Sequence, residues 1–164
     1  MATEKQFEFF KFIYLQEEER HKELIERGKV YLAILTFYIG FLVSNFSPAT
    51  DLTKQLAFWD IAKLSILFFG VLLFIVAFVF VTMLLSIYKH EVFADPKEII
   101  ESFGETAPSD NDFFDDRIIE FSASTIKNRK INNSRAKKLK YATILMLFGI
   151  SVHIILLFLK LSIL

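Results

Sequence analysis

Among the three histidines of this 164-residue chain, His153 is the one placed inside an apolar run. It lies about 18 Å along a helix from the basic stretch preceding that run, at ~1.5 Å per residue. Ionisable groups at such depth in a bilayer are costly and face the interior of a bundle. His153 therefore reads as a pore constriction or a proton-sensitive gate, with Gly149 leaving room one turn earlier on the same face. The plainer alternative is an imidazole bonded to a backbone carbonyl or a serine. Ser151 is two residues away and points to another face, which argues against a Ser/His dyad. His21 and His90 lie in other segments without metal-ligand spacing, and the chain has no cysteine. There is no HExxH, GxSxG or phosphate-binding glycine loop. We therefore expect a non-enzyme, with no catalytic residue, metal site or cofactor.

The second chemical feature is charge segregation. Residues 88–120 hold three basic and ten acidic side chains; residues 121–140 hold seven basic and none acidic. Lys127, Arg129, Lys130, Arg135, Lys137, Lys138 and Lys140 make up that run. Their first expected role is contact with anionic lipid headgroups, at about 1 kcal/mol per basic residue near the surface. A nucleotide site on Lys127, Arg129, Lys130 and Arg135 is the sharper alternative. The two oppositely charged halves can also fold on each other or on a neighbouring subunit. Lysines plus arginines equal aspartates plus glutamates, 19 to 19, so bulk charge points to no DNA partner.

These residues must be positioned by helices. Leu64–Ile87 contains 24 residues, none charged, and eighteen are Leu, Ile, Val or Phe. As a helix it spans about 36 Å, enough for a ~30 Å hydrocarbon core. Its insertion is favoured by roughly 7 kcal/mol as an upper bound. Residues 30–46 form a weaker apolar segment, and 141–160 a third ending in Lys160. Ala33, Thr36, Gly40 and Ser44 recur every three or four residues, a small-residue stripe that lets helix backbones approach closely in lipid. The stripe reads as a packing seam for self-association; pore lining is the sharper alternative.

Residues 1–29 read as an N-terminal helix with Phe7, Phe10 and Tyr14 on one face, leading through Gly28 and Lys29 into the first span. No apolar residue occurs from Gln16 to Glu23, so that stretch is solvated or pairs with a neighbour. Residues 47–63 are an external connection with a short interfacial helix. Within 88–140, Asp95-Pro96 starts a helix ending before Gly104, and a longer one begins near Asp112 with a kink or break at Asn132-Asn133. The expected fold is thus an all-α membrane protein: three transmembrane helices, an N-terminal amphipathic helix, and a helical cytoplasmic region between spans two and three. No cleaved signal or lipid anchor is expected.

Sixteen basic residues fall in the N-terminal and 88–140 regions, against three in the 47–63 loop and the C-terminal tail. That asymmetry puts the N-terminus inside and the C-terminus outside. Two apolar helices, a charged helical region and a third helix entered through KNRKINNSRAKKLKY resemble the small membrane effectors of bacterial anti-phage systems, of SLATT type or Pycsar type. SLATT-type proteins typically have two spans, and the third here departs from that. The resemblance implies a homo-oligomeric, membrane-permeabilising effector of the bacterial inner membrane, with membrane lipid and a cytoplasmic partner protein or signalling nucleotide as partners. The alternative is a non-conducting sensor or scaffold subunit that recruits a cytoplasmic protein.

Overall fold

The computed structural model describes residues 3–45, 58–86 and 109–161. Among these the chain is all-helical, in three helices: α1 Glu4–Asn45, α2 Phe58–Leu85 and α3 Asp110–Leu161. Both long helices begin at side-chain caps. Thr3 and Gln6 form a reciprocal box, Thr3 N–H donating to Gln6 Oε1 at 2.9 Å and Gln6 N–H to Thr3 Oγ1 at 3.4 Å. Ser109 Oγ accepts from Asp112 N–H at 3.3 Å and donates to the Asp112 carboxylate at 2.6 Å.

The helices are continuous at two places, one that the sequence marks as the passage between two segments and one that it marks as a kink or break. α1 runs unbroken through Gly28-Lys29, so the N-terminal helix and the first apolar segment are one element. A Cβ on Gly28 would lie 2.5 Å from Leu84 Cδ2, so this glycine permits close helix approach and does not end a helix. α3 likewise runs unbroken through Asn132-Asn133. The Asn132 amide is engaged by α1 and does not compete for its own backbone. The expected interfacial helix before Trp59 and the helix starting at Asp95 lie outside the described residues, apart from the first turn of α2.

The chain divides into two compact units. The first comprises residues 1–24 and 87–135. In it α1 and α3 run in the same direction: Phe7 meets Phe114 and Phe121 at ring separations of 5.4 and 5.7 Å, Tyr14 meets Phe121 at 5.4 Å, and Glu17 meets Arg129 and Asn132. The second unit comprises 25–86 and 136–164. Its core is Leu35 from α1, Phe74, Ala77 and Val81 from α2, and Ala142 and Met146 from α3. Tyr31 accepts a hydrogen bond from Thr143, and Tyr38 stacks on Phe74 at 4.4 Å. Phe80 meets Tyr141 at 5.7 Å, so α1 and α3 are parallel here and α2 runs against both.

Buried positions follow a seven-residue repeat. On α3 from Phe121 onward they are Phe121, Thr125, Asn128, Asn132, Arg135, Leu139, Ala142, Met146, Gly149, His153 and Leu156, with Arg117 buried one turn before them. This is the 3.5-residue period of knobs-into-holes packing. Among the described residues, two helices are long and apolar enough to cross a membrane, through Leu64–Leu85 and through a stretch within Asp112–Leu156. Only 22% and 28% of their apolar windows are buried, unlike a core helix of a water-soluble protein, which hides its apolar surface.

Candidate functional site: a polar seam and a buried histidine

In the first unit the seam turns polar after Tyr14 and returns to an apolar residue at Leu24. Glu17, Thr125, Asn128, Asn132 and Arg135 are all buried. Asn132 Nδ2 donates to the Glu17 carbonyl at 2.8 Å and to Glu17 Oε2 at 3.1 Å. Arg129 Nε donates to Glu17 Oε1 at 3.0 Å, and Arg20 reaches Glu17 Oε2 at 3.4 Å. Arg20 also donates to Asn133 Oδ1 at 2.9 Å. One turn on, the Arg135 guanidinium donates to His21 Nδ1. Burial pushes the Glu17 carboxyl up, but Asn132, Arg129 and Arg20 more than offset it and hold it below the usual glutamate value.

The sequence marks Arg129 and Arg135 as lipid or ligand contacts, Glu17 and His21 only as part of a stretch that is solvated or pairs with a neighbour, and Asn132 as a kink or break; it gives Asn128 no role. The available signal was the heptad spacing 7, 10, 14, 17, 21, 24 on α1, legible only if polar residues count as seam positions. The seven basic residues separate by environment. Arg129 binds Glu17, Arg135 meets His21, and Lys138 Nζ donates to the Met83 carbonyl at 3.3 Å near the end of α2. Lys127, Lys130, Lys137 and Lys140 are exposed.

In the second unit, His153 is 4% exposed. Its Nδ1 pairs with the Gly149 carbonyl at 2.9 Å, so Nδ1 carries the donated proton. Phe74 and Tyr38 flank the ring at 5.6 and 5.7 Å. Gly70 makes room for it: a Cβ there would meet His153 Cε1 at 2.9 Å. Gly149 serves Phe74, whose ring would lie 2.5 Å from a Cβ at that position. His153 and Gly149 thus face the interior of one chain's bundle, in the backbone-bonded arrangement.

The small-residue stripe faces outward. Ala33 and Thr36 are exposed, and a Cβ on Gly40 would meet nothing within 4 Å. Ser44 continues α1, with its side chain outside the described set. Among the described residues, no three His, Asp or Glu side chains gather as metal ligands.

Compared with family models, curated proteins and solved structures, the chain finds no match in any of the three.

Proposed function

We propose that this protein is a non-enzymatic, homo-oligomeric membrane protein that permeabilises the bilayer as an assembly of chains. The observation that carries this reading is the outward face of Ala33, Thr36 and Gly40 on α1. In lipid an apolar side chain gains nothing by leaving the tails, so helices associate where small residues let backbones pack. A conducting path in such an assembly lies between chains, along this face, and not beside His153. The parallel course of α1 and α3 in the second unit supports three crossings, with the N-terminus inside and the C-terminus outside a bacterial inner membrane. The exposed Lys127, Lys130, Lys137 and Lys140 then contact anionic headgroups on the cytoplasmic side. The arrangement-level resemblance to anti-phage membrane effectors supports the same role.

A second reading, a non-conducting sensor or scaffold that recruits a cytoplasmic protein, is favoured by one observation. The exposed hydroxyls of Thr36, Ser65, Thr82 and Ser151 each donate to a carbonyl four residues back, at 2.9 Å. They are satisfied without lining water.

The deciding experiment is membrane potential after expression in cells. Permeabilisation predicts depolarisation by the native chain and its loss in Gly40→Ile, together with a smaller assembly in detergent. A native chain that assembles and leaves the potential intact selects the scaffold. Reporter fusions test the topology: a fusion after Leu164 should behave as exported and one near Pro108 as cytoplasmic.

A further inference from the structure

The polar seam contains a group that titrates near neutral pH in contact with a buried cation. Arg135 is 2% exposed, and its guanidinium donates to His21 Nδ1. That contact requires an unprotonated acceptor nitrogen, because a guanidinium can only donate. A proton on His21 Nδ1 would remove the acceptor and set two cations against each other. We propose that the His21–Arg135 pair is an acid-sensitive latch in the first unit: protonation of His21 releases the N-terminal half of α1 from α3.

The surrounding charges favour release. From α3, Arg135 faces His21 directly, and Arg129 stands one and a half turns earlier. From α1, Glu17 lies one turn before His21, but its carboxylate is already bound by Arg129, Arg20 and Asn132. Glu18, also on α1, is paired with Lys22 at 2.9 Å. Glu17 thus already holds two guanidinium groups, and a third, that of Arg135, is in contact with His21 before His21 gains any charge. Asn132, one turn before Arg135, and Asn128, two turns before it, are fully buried in place of apolar seam residues. A polar layer of this kind fixes register at a cost in stability, which keeps the helix pair close to opening.

This inference does not depend on whether the protein conducts. Since the chain has no cysteine, spin labels can be placed on Glu19→Cys of α1 and Lys130→Cys of α3, both exposed positions, in the full chain in lipid nanodiscs. The label separation is compared at about pH 7.5 and about pH 5.5, either side of an ordinary histidine titration. We expect a longer-distance population at the lower pH. The opening equilibrium should grow by up to about tenfold per pH unit, the limit for one proton. His21→Gln retains a neutral acceptor for Arg135 and should stay closed at both values. Arg135→Gln removes the repelling cation and should blunt the response without requiring His21 to change. An unchanged native separation across this range overturns the latch. So does full opening in His21→Gln, or opening confined to the carboxylate range and lost in Glu17→Gln.

Discussion

The two units use one packing register and fill it differently. In the first, the α1–α3 seam begins with Phe7, Tyr14 and Phe121 and continues with Glu17, His21, Asn128, Asn132 and Arg135. In the second, the seam positions hold Leu35, Ala142, Met146, Gly149 and His153, while Phe37, Phe68, Leu147 and Phe158 point outward. In water, expelling apolar surface drives helices together, so a few aromatic layers can hold a pair whose remaining contacts are polar. In lipid that drive is absent and close fit must replace it. Hence Gly28, Gly70 and Gly149 stand where a Cβ would collide with a neighbouring helix or side chain.

The contrast can be broken most severely at Gly149. Gly149→Leu drives a side chain into Phe74, which is 1% exposed and has nowhere to move. Overpacking of this kind costs about 1–3 kcal/mol. Unfolding titrations in mixed micelles should show the second unit weakened and the Phe7–Phe121 contact of the first retained. Glu17→Ala acts on the other side of the comparison, by about 1–2 kcal/mol, because it takes the carboxylate away from the buried Asn132 amide, Arg129 and Arg20 and leaves Asn132 only the backbone carbonyl. The double change Glu17→Leu with Asn132→Leu should instead stabilise the first unit, since Arg129 and Arg20 are exposed enough to rehydrate. If the double variant is less stable than the single one, the polar layer is not a stability compromise.

Acid should separate the units more gently. The folded Glu17 carboxyl titrates below its unfolded value, so its contribution is present above the ordinary glutamate pKa. That contribution is lost as pH falls through the lowered one. Hydrogen exchange of α1 near Glu17 should accelerate in that window while amides around Leu35 stay protected. The smallest effect is expected from His153→Leu. Side-chain hydrogen bonds within membrane bundles average about 0.6 kcal/mol, and the ring's bond runs to its own helix. Insertion, assembly and any permeabilisation should persist in that variant; loss of permeabilisation with intact assembly would return His153 to the conducting path.

Much of the fold was legible because hydropathy and helical period are local properties. Leu64–Ile87 stands out as an uncharged run, and the face of Phe7, Phe10 and Tyr14 is readable from spacing. The passage between segments read at Gly28 and the kink or break read at Asn132-Asn133 arose from the same local logic. Glycine and asparagine usually punctuate helices because of backbone freedom and side-chain competition. Here Leu84 fills the space beside Gly28, and Glu17 occupies the Asn132 amide. Both partners are far away in sequence. The basic run was visible as charge, but its division between exposed lysines and seam-bound arginines was not.

Sequence alone determined that the chain is helical, that it carries apolar stretches of membrane-crossing length, and that its charges segregate, because each follows from composition within a short window. Tertiary structure decided which side of each helix is inside. It turned His153 toward Phe74 and Tyr38, turned Ala33, Thr36 and Gly40 outward, and joined Glu17 and His21 to a basic stretch more than a hundred residues away. Those outcomes depend on which helix faces pair, and pairing is set by shape and by hydrogen-bond satisfaction between segments that share no local pattern.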